Sequence, residues 1–212
     1  LLNQSESFDL LGVYDNDFNI SKKAAHESGC KSYESFEKMI EEIDALDIVT
    51  PTPSHYGYAL KAIEKGVHVF IEKPVCSNTE ESFNLIEKSK LNNVKIQVGH
   101  VERFNAAFTA VENHISQPMF IESHRLAQFN PRGTDVSVVL DLMIHDIDII
   151  LSSVDSEILK ISSSGVSVIS STPDIANARI EFKNGCVANL TASRVSIKNM
   201  RKTRFFQTGK YI

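Results

Sequence analysis

Residues 67–74 read Val-His-Val-Phe-Ile-Glu-Lys-Pro, an apolar run that ends in a charged pair and a proline. A short apolar run bounded in this way is typical of a strand that is buried in a parallel sheet. Comparable runs occur at residues 8–15, 46–50 and 94–98, and segments with helical character separate them. Strands and helices that alternate with short loops predict an α/β fold, with a parallel sheet covered by helices on both faces.

The helices of this first half are marked by residues that favour helix boundaries. Ser35 and Ser54 can accept hydrogen bonds at helix starts, and Gly29 and Gly66 are suited to helix ends. The segments predicted as helices are residues 21–28, 36–43, 54–65 and 79–91.

Polar residues follow the apolar runs at the points where the strands are predicted to end. Asp15 follows the first run, residues 50–52 (Thr-Pro-Thr) follow the second, and Glu72 and Lys73 follow the third. Ligands of such sheets bind outside the carboxyl ends of the strands. We therefore expect these residues to face one crevice.

The pattern of the sequence changes after about residue 98. Asn184-Gly185 lies between two segments of alternating polarity and predicts a β-hairpin, and Thr208-Gly209 predicts a second one. The predicted helices are residues 106–114 and 135–153, and the predicted strands are residues 119–126, 158–161, 165–169, 176–182, 187–193 and 204–207. This order predicts an α+β second domain with a mostly antiparallel sheet, and domains of residues 1–98 and 99–212.

Charge and cysteine content narrow the classes of protein that the chain can represent. It has 212 residues, a formal net charge of −5 and an isoelectric point near 5.8. Binding to phosphates needs a concentrated basic patch, so this charge argues against a nucleic-acid partner. No apolar run approaches the ~20 residues of a membrane-spanning helix. Cys30, Cys76 and Cys186 form neither a disulfide framework nor a Cys-x-x-Cys metal site, which indicates a reducing, cytoplasmic setting.

The predicted helix at residues 135–153 is apolar almost all round, which is typical of a buried helix. Asp141, His145 and Asp148 interrupt it at positions i, i+4 and i+7, so they share one stripe of the helix. Buried ionisable groups need a partner or a cleft. Three interpretations are open: Asp141 sets the tautomer of a catalytic His145, the two form a structural hydrogen bond, or all three residues bind a metal ion.

Two of the residues at strand ends have both a chemical and an ordinary explanation. A partly desolvated Lys73 can hold a substrate oxygen or donate a proton, and it can equally belong to a surface turn. Asp15 can hydrogen-bond the adenosine ribose of a dinucleotide and select against a 2′-phosphate, or it can cap a turn. The sequence leaves both pairs of alternatives open.

Two polar loops are candidate walls of a substrate site. Residues 100–105 contain Arg103 and Asn105 and follow the last predicted strand of the first domain. Residues 130–135 contain Arg132 and precede the predicted buried helix. Both segments are also consistent with solvated loops.

Residues 67–74, together with Thr-Pro-Thr-Pro-Ser-His at residues 50–55, resemble the Gfo/Idh/MocA oxidoreductases. The second signature of that family, Asp-x-x-x-His on a buried helix, matches Asp141 to His145. The resemblance spans essentially the whole chain and implies an N-terminal Rossmann domain that binds NAD(P) and a C-terminal α/β domain. The chain is similar to members that act on nucleotide sugars, among them enzymes that oxidise the 3-hydroxyl of UDP-N-acetylglucosamine.

The resemblance implies NAD-dependent oxidation of a sugar hydroxyl, with a role for each matching residue. Lys73 would hold the reacting hydroxyl, and His145, oriented by Asp141, would be the general base. Asp15 would grip the adenosine ribose and favour NAD over NADP. The other residues assigned to the cofactor are Asn16, Thr50, Pro51, Thr52, His55, Glu72 and again Lys73, and those assigned to the sugar are Arg103, Asn105, Arg132 and again Asp141.

The chain departs from the family pattern because none of its nine glycines forms the Gly-x-Gly of a phosphate-binding loop. We therefore expect an inner part of a longer protein, with an unpaired sheet edge near Asp15 where the first strand belongs. We also expect a homodimer or homotetramer, and neither a metal nor a membrane or nucleic-acid partner. Two alternative functions are a non-catalytic dinucleotide sensor and a metal-dependent hydrolase that uses Asp141, His145 and Asp148.

Overall fold

The computed structural model describes residues 5–131 and 134–212. The chain divides into two compact units. The first contains the chain up to Glu72 together with Asn78–Gln97, and the second contains Lys73–Ser77 and Val98–Ile212. Lys73 therefore belongs to the same unit as the predicted buried helix.

The first unit alternates strands with helices, which confirms the predicted α/β organisation. Its strands are β1 (Gly12–Val13), β2 (Lys31–Ser32), β3 (Ala45–Ile48), β4 (His68–Glu72) and β5 (Ile96–Gly99), the last of which continues into the second unit. Its helices are α1 (Phe18–Ser28), α2 (Phe36–Ile40), α3 (Thr52–Glu64) and α4 (Thr79–Leu91). The two-residue strand β2 was not predicted, since it is too short to show a polarity pattern.

The strands of this unit form two separate sheets within the described residues. β1 pairs with β2 in parallel, whereas β3 pairs with β4 in parallel and β5 lies on the other side of β4. Within the described residues β1 has β2 as its neighbour on one side, and the edge expected near Asp15 stays a prediction. The prediction of a buried strand at residues 8–15 is wrong, because Phe8 and Leu11 are exposed. A short strand with one neighbour gives these side chains no layer to pack against.

Side-chain caps define most helix starts in the first unit. Asp17 accepts a hydrogen bond from the backbone of Asn19 at the start of α1, and Asn78 accepts one from Glu81 in α4. Ser35 caps α2 as predicted. Gly29 ends α1 in the left-handed conformation, with φ of 68°, which glycine adopts without a steric penalty.

The start of α3 differs from the prediction. The helix begins at Thr52, so Ser54 lies inside its first turn and is not its cap. Pro53 is compatible with this position, because the first N–H groups of a helix need no partner within the helix.

The second unit contains a six-stranded sheet. Its strands are β6 (Phe120–Leu126), β7 (Ile158–Val166), β8 (Ile175–Phe182), β9 (Val187–Ser193), β10 (Met200–Gln207) and β11 (Lys210–Tyr211), in the spatial order β11-β10-β6-β9-β8-β7. β6 and β9 are parallel, and the other neighbouring pairs are antiparallel. The prediction of a mostly antiparallel sheet is confirmed.

Both predicted hairpins are present in this sheet. Gly185 joins β8 to β9 with φ of 89°, and Gly209 joins β10 to β11 with φ of 71°. Because side chains strongly disfavour positive φ, glycine is the residue that these turns require.

The predicted helix at residues 135–153 starts later and is less regular than expected. A π-helical turn, Val139–Met143, leads into α6 (Ile144–Ser153). The apolar side of this segment packs in a core with the sheet that includes Ile121, Val138, Met143, Ile150, Phe182 and Leu190. The segment is not buried on every side, because Asp141 and His145 are partly exposed.

Two further segments differ from the prediction. Residues 101–114 form short turns, namely the 3-10 turns Val101–Phe104 and Glu112–His114 and the four-residue helix α5 (Ala106–Thr109), because none of these pieces has a buried residue. β7 is one continuous strand where two were predicted, and Gly165 within it faces Pro173. Among the described residues, no helix has the length and apolarity to cross a bilayer.

Candidate active site

Lys73 lies directly against the π-helical turn of the second unit. Its ammonium group donates a hydrogen bond of 2.7 Å to the backbone carbonyl of Asp141, and the Asp141 carboxylate is 3.5 Å away. The side chains of Lys73 and Asp141 are 21% and 28% exposed, so both groups are partly shielded and still reachable from solvent. The surface-turn alternative for Lys73 does not account for this placement.

The π-helical turn explains why a helical carbonyl meets the lysine. The Ile144 N–H bonds the carbonyl of Val139, five residues back, and the wider turn breaks the usual ladder around Asp141. The turn also changes the angular spacing that residues 141–148 would have on a regular helix. Of the residues predicted to share one stripe, His145 and Asp148 lie three residues apart in the regular helix α6, whereas Asp141 lies in the π-helical turn before it.

His145 lies in the first turn of α6, and one of its ring nitrogens has an unusual environment. Its Nδ1 atom is buried and has no hydrogen-bond partner within the described part of the chain. The hydrogen bond that this nitrogen was expected to donate to the Asp141 carboxylate is thus not formed, and that carboxylate lies 3.5 Å from the Lys73 ammonium instead. Burial, followed by the positive charges of Lys73 and Arg125, lowers the pKa of His145 from its ordinary 6.5 to about 4. The imidazole is consequently neutral at physiological pH and able to accept a proton.

A buried ion pair joins Arg125 to Asp146, the residue that follows His145, and it was not predicted. Arg125 on β6 donates two hydrogen bonds to Asp146, from Nε at 3.0 Å and from Nη2 at 2.9 Å. Its Nη1 also reaches Glu102 at 3.3 Å. Burial would raise the pKa of Glu102, but the charge of Arg125 and the hydrogen bonds to this carboxylate outweigh it and lower the pKa. The sequence held one signal for this ion pair, because Arg125 lies on the inward face of β6 together with the apolar Ile121 and so needs a buried partner.

The predicted substrate residues that the structure describes are engaged within the protein. Arg103 binds the Asp148 carboxylate with two hydrogen bonds, of 2.7 and 2.6 Å. Asn105 caps α5 and donates to Glu102. Asp148 therefore balances an arginine charge, which argues against the metal site proposed for it. Arg132 lies outside the described residues, and the assignment of Arg103 and Asn105 to a substrate stays a prediction.

Asp15 and Asn16, which were predicted to bind the cofactor ribose, lie side by side in the first unit. Asp15 is exposed, and one of its oxygens accepts a hydrogen bond from the Asp17 backbone, so the turn-capping alternative also holds. Tyr14 and Tyr58 both donate to Asn16 Oδ1 at 2.9 Å, which fixes the orientation of its amide. An exposed carboxylate beside an oriented amide fits the hydroxyl groups of a ribose.

His55 contacts the backbone of the loop that follows β3. This histidine is 1% exposed, and its Nε2 lies 2.7 Å from the carbonyl of Thr50. Thr52 is buried, whereas Pro51 is exposed, so the residues predicted to line a dinucleotide differ in their access to one. His55 thus shapes the loop, and the cofactor roles of these residues and Glu72 stay predictions.

The two halves of the chain match two models of one protein family. Residues 1–100 match the model described as an oxidoreductase family with an NAD-binding Rossmann fold, and residues 97–209 match the GFO/IDH/MocA C-terminal domain.

Characterised relatives and solved structures show the same similarity. The chain is 36% identical to UDP-N-acetylglucosamine 3-dehydrogenase of Acidithiobacillus ferrooxidans over 95% of its own length and 65% of that protein. It is 31% identical to scyllo-inositol 2-dehydrogenase (NAD(+)) of Bacillus subtilis over 83% of its length and 57% of that protein.

The solved structure of the Acidithiobacillus ferrooxidans enzyme superimposes on 95% of the chain with a TM-score of 0.89, and the match covers 67% of that structure. Myo-inositol 2-dehydrogenase of Lactobacillus plantarum, at 20% identity, shares the fold over 100% of the chain and 70% of its own, with a TM-score of 0.88. The chain thus spans about two thirds of the length of such relatives. It belongs to the Gfo/Idh/MocA oxidoreductase family.

Proposed function

We propose that the protein is an NAD-dependent dehydrogenase that oxidises a secondary hydroxyl of a nucleotide sugar. The observation that carries the proposal is the placement of the Lys73 ammonium at the π-helical turn of the second unit and of a neutral His145 in the helix turn that directly follows it. Oxidation of an alcohol requires its proton to leave, and a cation together with a neutral base is suited to this task.

Lys73 would bind the oxygen of the reacting hydroxyl. Its ammonium has three donors, and Asp141 receives one of them at 2.7 Å. A positive charge beside the hydroxyl stabilises the alkoxide character that develops as the proton departs. Asp141 would hold the lysine in this position through its carbonyl and its carboxylate.

His145 would accept the proton. With a pKa lowered to about 4, the ring keeps a free lone pair at physiological pH. The same burial and positive charges that keep the ring neutral make the imidazolium unfavourable, so His145 would pass the proton onward rather than retain it.

The cofactor would be held at its ribose end by Asp15 and Asn16. Bound NAD would supply the acceptor for the hydride that leaves the sugar carbon. The negative charge of Asp15 favours NAD, because it repels the 2′-phosphate of NADP. The sequence has no Gly-x-Gly loop for the pyrophosphate, so the residues here account for the ribose and not for the phosphates.

The similarity to UDP-N-acetylglucosamine 3-dehydrogenase supports a nucleotide sugar as the substrate class, with the 3-hydroxyl of UDP-N-acetylglucosamine as the first candidate. The inositol dehydrogenases among the relatives define the main competing class, that of free polyols.

The proposal is tested by measuring NAD reduction with a panel of UDP-sugars, inositols and free sugars. We expect turnover of at least one UDP-sugar, a loss of about 10²- to 10⁴-fold in kcat for Lys73→Met and His145→Gln, and normal rates for Lys198→Met and His114→Asn. Lys198 and His114 are exposed and serve as matched controls. Tight binding of NAD without turnover of any alcohol would instead indicate the sensor, and equal rates in all variants would refute the roles of Lys73 and His145.

A further inference from the structure

We propose that the buried pair of Arg125 and Asp146 is a positioning device for His145, so that the rate of the reaction depends on Arg125 although it does not touch the substrate. The inference rests on the proposed function and deepens it. Asp146 directly follows His145 in the first turn of α6.

The pair joins two different elements through a rigid contact. The Arg125 and Asp146 side chains are 8% and 6% exposed, and two parallel hydrogen bonds of 3.0 and 2.9 Å link them. A bidentate contact between guanidinium and carboxylate fixes direction as well as distance. The rotation of α6 about its axis, and with it the direction of the His145 ring, is thereby tied to β6.

A third element is attached to the same arginine. Arg125 also donates to Glu102 in the 3-10 turn Val101–Phe104, and Glu102 accepts further hydrogen bonds from Asn105 and Arg201. The next residue of that turn, Arg103, binds Asp148, two residues further along α6. Arg125 and Arg103 consequently hold the start of α6 through the carboxylates of Asp146 and Asp148. Asp146 is the residue that directly follows His145.

The charges around His145 come from several elements. Lys73 precedes Pro74 at the end of β4, Arg125 lies on β6, Arg201 lies on β10 and Glu102 lies in the 3-10 turn. Asp146 and Asp148 are the acidic groups nearest to it in the sequence, and Asp141 lies four residues before it. Arg125 adds a fixed positive charge that disfavours the imidazolium, so removing it should make His145 easier to protonate.

Stability alone does not explain the pair. A buried ion pair gains about as much from mutual attraction as its two charges lose in desolvation, and apolar residues of similar size often stabilise a core equally well. An apolar replacement can therefore preserve the fold while it removes the rigid link. This property makes positioning separable from folding by experiment.

The test uses the full chain in three variants. Arg125→Lys keeps the charge and loses the bidentate contact, and the double variant Arg125→Met with Asp146→Leu replaces the pair by apolar groups. The control is the double variant Glu122→Leu with Arg204→Met. It removes an ion pair that links β6 to the neighbouring strand β10 and lies on the face of β6 opposite to Arg125. Each is assayed for NAD reduction with UDP-N-acetylglucosamine and for titration of the His145 ring by NMR.

We expect kcat to fall roughly ten- to a hundredfold in both Arg125 variants with little change in KM, because a small misplacement of a catalytic group has effects of this size. The midpoint of the His145 titration should stay low in Arg125→Lys and rise in the apolar double variant, and the control should change neither quantity. An unchanged kcat and an unchanged titration in the folded double variant would overturn the inference. Absent turnover in the wild type, combined with the expected titration shift, would refute the proposed function and leave the electrostatic role of Arg125 standing.

Discussion

The Lys73 ammonium donates a hydrogen bond of 2.7 Å to the carbonyl of Asp141, while the Asp141 carboxylate lies 3.5 Å from the same nitrogen. The shorter contact is therefore to the backbone and depends on the π-helical turn rather than on the side chain. The nearer of these two acceptors of Lys73 is therefore neutral, and the carboxylate with which it forms an ion pair is the more distant partner. This relationship fixes the position of the Lys73 cation at the π-helical turn.

Replacement of Lys73 should separate charge from geometry. Lys73→Met removes the cation and should lower kcat by about 10²- to 10⁴-fold, whereas Lys73→Arg keeps the charge in a larger group and should retain part of the activity. Steady-state kinetics of NAD reduction measure both, with Lys198→Met as the control. Equal activity of Lys73→Met and the wild type would contradict the assignment.

The pH profile should follow His145 and not Asp141. Because the folded-state pKa of His145 is lowered to about 4, the base is neutral above that pH, and kcat/KM should fall only as the pH drops through 4. Asp141→Asn keeps the carbonyl that holds Lys73 and removes only the carboxylate 3.5 Å from it, so it should lower kcat less than Lys73→Met does and leave the acid limb where it is, since Asp141 does not bond Nδ1. A large shift of the acid limb in Asp141→Asn would show that the two residues act as a dyad after all.

Cofactor preference should depend on Asp15. Asp15→Ser removes the charge that opposes a 2′-phosphate, so the ratio of kcat/KM for NADP over NAD should rise by roughly tenfold or more. The matched control is Asp17→Ser, which alters the cap of α1 and retains a capping side chain. A ratio that is unchanged in Asp15→Ser would place ribose recognition elsewhere.

Two glycines should respond in opposite directions to the same substitution. Gly57→Ala lies in the interior of α3 with no atom near the added methyl group, and it should stabilise the fold by about 0.5–1 kcal/mol. Gly185→Ala forces a side chain into φ of 89° and should destabilise by about 1–2 kcal/mol. Urea unfolding measures both, and equal effects would contradict the hairpin geometry.

Asp174 should govern the loss of stability in acid. It is fully buried, and Ser170, three backbone N–H groups and Arg194 donate to its carboxylate, which lowers its pKa well below the ordinary value. A lowered folded-state pKa means that the stability is present above the unfolded pKa, near 3.9, and is lost as the pH falls below it. Unfolding midpoints of Asp174→Asn should therefore vary less with pH in this range than those of the wild type. The control is Asp155→Asn, which alters an exposed carboxylate and should show the same pH dependence as the wild type. The same pH dependence in wild type and Asp174→Asn would contradict this.

Local signals in the sequence were enough for much of the fold. The predicted bounds of α4 and β9 match the structure, because Thr79 follows a capping Asn78 and residues 188–193 alternate between apolar and polar types after the Asn184-Gly185 turn. The short turns at residues 101–114 were predicted as one helix, since periodicity does not reveal that a segment lacks a core to pack on.

The candidate site was only partly accessible from the sequence. Lys73, Asp141 and His145 stood out as charged groups within apolar surroundings, but their pairing depended on a π-helical turn that regular helical spacing cannot anticipate. Asp146 and Arg125 were missed because each is satisfied by a partner 21 residues away in the chain. Arg103 was assigned to the substrate, and only the tertiary fold shows that its partner is Asp148.

The most direct measurement is the fate of the hydrogen on the sugar carbon that reacts. UDP-N-acetylglucosamine labelled with deuterium at C3 is incubated with the protein and NAD, and the reduced nicotinamide is analysed by mass spectrometry. The proposed chemistry predicts that the deuterium appears in the reduced cofactor and that Lys73→Met and His145→Gln strongly slow its transfer. Reduced cofactor without deuterium, or none with this sugar or any other alcohol of the panel, would contradict it.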